Sequence, residues 1–359
     1  MSSDWSGKKP SDPKPVVYQG GSLHDPHLRT PLQPGGASAF AASFVKVKEK
    51  PNHLQELKES ADWSGPRPED EKPLVYQGGW DSNNHLLAPW QGARVKTYAA
   101  SYFKTKHGGA ENQRAMESLT KDRGVRLFLD SGAFSFLVAY KKGGNLGVDM
   151  DAYLKDYVAF VKNPPLPIDF YVTFDYQPNA QVSWDMTKKL QKMDIRPVPV
   201  YHGDASIDWV KKYIDLGHKL IGLSKRYFLN DQRGLRKFYD QTFKVTEAAG
   251  MSCHGFACTG REMWDYPWHS VDSTTIIGQS SRGMLAYVDE QNEFKFFPIG
   301  KNRIGKHLPE DLVETMKRRG YKSIKEFAHY SAYIEFNMRR FLEYQQTRQG
   351  KTWTKKALF

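Results

Sequence analysis

From about residue 110 onward, short apolar runs alternate with stretches in which apolar positions recur every three or four residues. The runs Val125–Asp130, Ile168–Asp175, Arg196–Tyr201, Lys219–Leu223, Ser252–Phe256 and His269–Ile276 are predicted strands. The first of them, Val125–Asp130, reads as a buried, mostly apolar strand that ends on a carboxylate. Between them Asp149–Val161, Trp184–Met193, Ile207–Leu216 and Arg233–Ala249 carry the helical period, the last stopped by Gly250. Such an alternation, sustained this long, predicts an α/β fold whose parallel sheet closes as a (β/α)8 TIM-type barrel rather than a doubly wound open sheet. No Gly-rich dinucleotide or phosphate-loop fingerprint follows any strand, which weakens the open-sheet nucleotide-binding alternative.

Two more helical patterns, Pro309–Arg319 and Ser323–Gln346, follow the barrel. In the second, Ile324, Phe327, Ser331, Ile334, Met338, Phe341 and Gln345 form a stripe expected to be buried. Lys322, Lys325, Tyr330, Tyr333, Arg339, Arg340 and Tyr344 fall largely off that stripe and make a basic face with interleaved aromatics. Such a face suits a sugar-phosphate backbone, although a solvated helix has the same pattern.

The N-terminal part has no long period but repeats itself. Residues 4–48 align without gaps on 62–106 with 22 identities in 45 positions, including Asp4-Trp5-Ser6-Gly7 on Asp62-Trp63-Ser64-Gly65 and Val17-Tyr18-Gln19-Gly20-Gly21 on Val75-Tyr76-Gln77-Gly78-Gly79. Both copies are rich in Pro and Gly and read mainly as loop. Two copies are too few for a solenoid. The expected organisation is a first copy over 1–58 as an extension, a second over 59–106 leading into the barrel through Val95–Tyr102 as its first strand, the barrel over 107–300, and a basic helical region over 301–359.

Charge sharpens this division. Of a formal net charge of +12, residues 291–359 supply +8, from 15 Lys+Arg against 7 Asp+Glu. A polyanion partner is expected, with Arg282, Lys301, Arg303, Lys306, Arg339 and Arg340 as its nucleic-acid contacts. The only cysteines, Cys253 and Cys258, argue against a disulfide framework. No apolar run spans a bilayer and the first residues lack a signal pattern, so no membrane association and a cytoplasmic location are expected.

The candidate chemistry lies at strand ends. Asp130 closes Val125–Asp130, Asp175 closes Ile168–Asp175, and Asp272 lies within Ser270-Val271-Asp272-Ser273. His202-Gly203 and Gly222 end two other strands. In a barrel these ends converge on one mouth, while an aspartate at a strand end is also a common helix N-cap. Paired carboxylates suit a double displacement at a sugar carbon, one attacking and one handling protons.

These residues resemble the guanine transglycosylases, enzymes of the queuine and archaeosine tRNA-ribosyltransferase type that exchange guanine for a 7-deazaguanine. Leu129-Asp130-Ser131-Gly132-Ala133-Phe134 is similar to the family's DSGG-aromatic motif, with Ala133 in place of its second glycine. The resemblance makes Asp130 the general base, Phe134 the ring that stacks on the base, and Ser131 part of the substrate site. It gives Asp175 the guanine edge, His202 the place of a usual glutamine, Gly222 a backbone contact to the base, and His254 the place of an apolar residue covering it. Val271-Asp272-Ser273 resembles the segment of the nucleophile, so Asp272 is expected to attack C1′.

The family's zinc site is missing, since no cysteine follows Cys258; neither a metal nor a dissociable cofactor is expected. Loss of that module beside a duplicated N-terminus resembles the phage branch that places 7-deazaguanines in DNA. The implied partners are DNA, or tRNA in the alternative, and a 7-deazaguanine base such as preQ0; a homodimer is left open. The rivals are a zinc-free tRNA enzyme, a catalytically silent nucleic-acid-binding barrel, and a glycoside hydrolase built on Asp130 and Asp272.

Overall fold

The structure, a computed structural model, describes residues 73–80, 87–120, 125–136, 149–175, 179–228, 230–299, 307–327 and 329–347. The first repeat copy and the expected contacts Lys301, Arg303 and Lys306 lie outside these residues.

Eight strands form one sheet: β1 (Leu74–Gln77), β2 (Thr97–Ser101), β3 (Arg126–Asp130), β4 (Ile168–Tyr171), β5 (Val200–His202), β6 (Leu220–Ser224), β7 (Ser252–Phe256) and β8 (Ser270–Ser273). Their order is β4-β3-β2-β1-β8-β7-β6-β5 and every pairing is parallel. The two edges meet at a parallel bridge between Val172 and Val198, where Val198 N–H donates to Tyr171 O at 2.7 Å and Thr173 N–H to Val198 O at 2.9 Å. The sheet is therefore a closed ring. Followed once around, its registers return displaced by about eight residues, the stagger of a TIM barrel.

Helices occupy the connections: α1 (Leu87–Gly92), α2 (Tyr102–His107), α3 (Gly109–Thr120), α4 (Met150–Lys162), α5 (Ala180–Lys192), α6 (Asp208–Asp215), α7 (Gln232–Ala248), α8 (Glu262–Asp265) and α9 (Thr275–Ser280). Several start where a side chain satisfies orphan amides. Asp149 accepts from Asp151 N, Asn179 from Gln181 N and Val182 N, and Asp231 from Gly234 N. The Asn179 cap starts α5 four residues before the expected Trp184. Gly250, with φ +66°, follows α7 in the left-handed conformation that closes a helix.

Strand alternation separates two cores. Tyr76, Phe128, Phe170, Val172, Val200 and Leu220 pack inside the ring. Leu127, Leu129, Tyr201, Ile221, Leu223 and Val271 point outward, onto the layer that the helices cover. The same parity turns Asp130, His202, Gly222, Ser224, His254, Phe256 and Asp272 inward.

Two expectations are corrected. The first barrel strand is not Val95–Tyr102, whose core is β2; it is β1, the Val75-Tyr76-Gln77 motif of the second repeat copy. That copy supplies two strands of the ring rather than a lead into it. The second correction concerns the end of the chain. A hairpin, β9 (Met284–Val288) and β10 (Phe294–Pro298), lies where the barrel was expected to finish. It packs with α10 (Glu310–Arg318) and α11 (Tyr330–Thr347) around Leu285, Leu312, Met316, Phe327 and Phe336. Ser323–Gln346 is thus not one helix: a short turn over Ile324–Glu326, closed by a reciprocal cap between Ser323 and Glu326, precedes α11.

Candidate active site

The turn after β3 is built around Gly132. Its φ is +78°, and a Cβ there would lie 2.3 Å from Phe103 Cβ and 2.7 Å from Phe103 N, so no larger residue fits. The Gly132 N–H donates to Asp130 Oδ1 at 2.7 Å, which fixes the carboxylate at the strand end. Tyr153 reaches the same turn, donating its hydroxyl to Ser131 O at 2.7 Å. The tyrosines Tyr153 and Tyr157 have pKa values pushed up, first by burial and then by the negative charge of Asp130.

Asp272 is fixed from the neighbouring strand. The turn after β7 donates Ala257 N–H to Asp272 Oδ1 at 3.1 Å and Cys258 N–H to Asp272 O at 3.0 Å. Ala257 adopts φ +52°, an uncommon conformation for a residue with a side chain. Strain at such a position is a mark of a site whose geometry matters.

The registers give the relative height of the two carboxylates. Ser273 pairs with Gln77, Gln77 with Tyr98, and Tyr98 with Leu127. The tilt of the strands advances the level by about one residue per strand. Asp130, three strands on from Asp272, therefore stands at its height to within about one residue. Both side chains are partly exposed, on the inner face, at the C-terminal mouth.

Across that mouth His202 Nε2 lies 2.9 Å from Asp175 Oδ2, so two expected substrate contacts form a pair. Phe134 is 59% exposed, an unusual condition for an aromatic ring that nothing in the helix period requires. The Arg226 guanidinium lies over its face, 4.8 Å from the centroid, bringing the loop after β6 to the loop after β3. Tyr227, 42% exposed, stands beside His202 with ring centroids 6.5 Å apart. Its pKa is pushed up to about 12 by burial and by Asp204. Arg226 and Tyr227 were not singled out in the sequence, although a cationic-aromatic pair directly after a strand end is a legible signal.

Other expected site residues take different places. Ser131 is fully buried and its hydroxyl accepts from Ala133 N at 3.4 Å, so it shapes the turn. Gly222 meets no open slot: a Cβ there would lie 2.4 Å from Phe256 Cε2, so the ring of Phe256 covers it. His254 is 0% exposed and lies below Phe256, with Nε2 3.4 Å from Asp272 Oδ1. It contacts a carboxylate rather than forming the surface of a base pocket.

The basic face is also reassigned in part. Arg340 is buried and ion-paired with Asp311 and with Glu343. It lies one turn from Phe336, on a wider buried face than the expected stripe, and joins α11 to α10. Arg339 is bonded to Glu335 and to Gly92 O at 2.8 Å, while Arg282 is exposed in the turn after α9. Cys253 and Cys258 are buried free thiols, and burial holds Cys258 well above its usual pKa. Among the described residues no three His, Cys, Asp or Glu side chains are grouped as metal ligands, and no helix is long and apolar enough to cross a membrane.

No family model matches the chain, and no curated protein matches it. Among solved structures, it is similar to a candidate fructose-1,6-biphosphate aldolase from Coccidioides immitis, at 7% identity and a TM-score of 0.41 over 85% of this chain and 98% of that one. It is also similar to a chain of the tryptophan synthase complex of Pyrococcus furiosus, at 11% identity and a TM-score of 0.39 over 59% and 91%. Likenesses this weak carry no argument, and the barrel rests on its own hydrogen bonds and registers.

Proposed function

We propose that this chain is a transglycosylase that exchanges guanine in DNA for a 7-deazaguanine base. The observation that carries the reading is the pair Asp130 and Asp272, on the inner face of one barrel mouth at nearly one height, beside an exposed ring at Phe134. A purine drawn out of a duplex stacks on Phe134, with Asp175 and His202 reading its polar edge. An Asp272 oxygen donates a lone pair to C1′ while the C1′–N bond breaks and its electrons leave with guanine. Asp130 takes the proton from the incoming deazaguanine, whose nitrogen attacks C1′ and returns the carboxylate of Asp272; the departed guanine nitrogen takes a proton from solvent at the mouth and Asp130 releases its own there, which restores the starting state. Two displacements at one carbon give net retention.

The turn geometry supports separate roles. Asp130 is held by one amide beside buried tyrosines, whereas Asp272 is held by the strained turn at Ala257. DNA is favoured over tRNA by the resemblance set out above, including the absence of any cysteine after Cys258.

Exchange of labelled guanine into duplex DNA, single-stranded DNA and tRNA, followed by nucleoside mass spectrometry of DNA and tRNA from cells supplied with deazaguanine precursors, tests this reading. Incorporation into DNA is expected. Incorporation into tRNA alone replaces DNA by tRNA, and tight salt-dependent binding without exchange overturns the enzyme.

A further inference from the structure

We infer that His269, Ser270 and His254 form a relay behind Asp272 that directs an N–H at its Oδ1 and leaves Oδ2 as the attacking oxygen; this rests on the reading of Asp272 as nucleophile. Ser270 Oγ lies 2.9 Å from Nδ1 of His254 and 2.9 Å from Nδ1 of His269, and all three residues are buried. A hydroxyl has one proton, so Ser270 donates to one imidazole and accepts N–H from the other. With neutral rings, two arrangements exist. If His254 donates from Nδ1, its Nε2 lone pair faces the Asp272 carboxylate at 3.4 Å. The rings of Phe128, Phe170, Phe256 and Tyr76 surround His254 at 4.7, 5.0, 4.9 and 6.4 Å, leaving no solvent to soften that repulsion.

The other arrangement has no such conflict. His269 donates Nδ1–H to Ser270, Ser270 donates to His254 Nδ1, and His254 Nε2–H faces Asp272 Oδ1. His254 Nε2 is a buried atom with no formed hydrogen bond, so this donor is poised for a small closing movement. Ala257 N–H converges on the same oxygen at 3.1 Å. Two donors therefore gather on Oδ1, while no described protein group donates to Oδ2. As Oδ2 attacks, Oδ1 becomes the ester carbonyl and keeps both donors. His254 transfers no proton and is a positioning residue.

Nitrogen-15 NMR of the histidine rings in the full chain tests the relay without any substrate. His254 is expected as the Nε2–H tautomer and His269 as Nδ1–H, with Ser270→Ala abolishing the fixed preference of His254. The reverse tautomers, or a doubly protonated His254 at neutral pH, overturn the relay whatever the chain does to DNA. A second arm compares His254→Phe, which cannot donate, with His254→Gln, whose amide can reach the same oxygen. Adduct formation at saturating DNA is expected to slow roughly 10- to 100-fold in the Phe variant with KM unchanged, and to recover substantially in the Gln variant. Equal losses in both variants, or a change in KM alone, overturn the positioning role. A wild-type chain that forms no adduct fails the exchange reading, while the NMR result still decides the relay.

Discussion

Replacing Phe134 by Ala separates a binding ring from a structural one. The side chain is 59% exposed, so truncation removes little buried surface, and its contact with Arg226 at an exposed site is worth about 0.5–1 kcal/mol. Folding stability is therefore expected to change by less than about 1 kcal/mol. A base stacked on an aromatic ring is worth about 1–3 kcal/mol by the same substitution, which is roughly 5- to 150-fold in affinity. Calorimetric titration of the 7-deazaguanine base into wild type and Phe134→Ala, beside urea unfolding of both, reads the two effects separately. Arg226→Ala supplies the opposite sign: freeing the ring face should raise base affinity by roughly 2- to 5-fold. Unchanged affinity in Phe134→Ala, or a loss of stability like that of a core truncation, would refute the reasoning.

Gly132→Ala should cost about 2–5 kcal/mol in urea unfolding, from left-handed strain plus collision with the Phe103 backbone, and should disturb Asp130 with it. Asn337→Ala should cost about 2–4 kcal/mol. It removes the acceptor for Ala286 N at 2.7 Å and the donor to Met284 O at 2.8 Å and Ser280 Oγ at 3.0 Å, leaving buried groups unpaired; unaltered unfolding would contradict this. Acid stability provides a further check through His218, whose pKa is lowered to about 3 by burial and by Arg196. It stays neutral in the fold but charges in the unfolded chain, so its contribution is complete above about pH 6.5 and declines from there toward pH 3. His218→Gln should reduce the fall in stability over that window by less than about 1.4 kcal/mol per pH unit, and an unchanged pH profile would count against the shift.

The barrel was legible because parallel strands buried on both faces write themselves as apolar runs, as at Phe128–Leu129 and Ile221–Leu223, with helical periods between. Strand-end positions of Asp130 and Asp272 followed from the same runs. β1 was not legible as a strand because Leu74–Gln77 is short and sits among Pro and Gly, where local composition favours loop; its pairing with β2 and β8 is a tertiary decision. The hairpin β9–β10 left a weak alternating trace around Asn292, whose φ of +58° marks its turn. Arg340 was misassigned because a charge at one helical position says nothing of the Asp311 that neutralises it across the sequence. His254 was placed by motif beside the base, but alternation along β7 gives the more exposed place to Phe256.

The most direct measurement is peptide mapping by mass spectrometry of a trapped protein–DNA adduct formed in the absence of incoming base. The expected result is one deoxyribosyl ester, on Asp272, absent from Asp272→Asn and retained in Asp130→Asn. An adduct on any other residue, or normal base exchange by Asp272→Ala, would contradict the account.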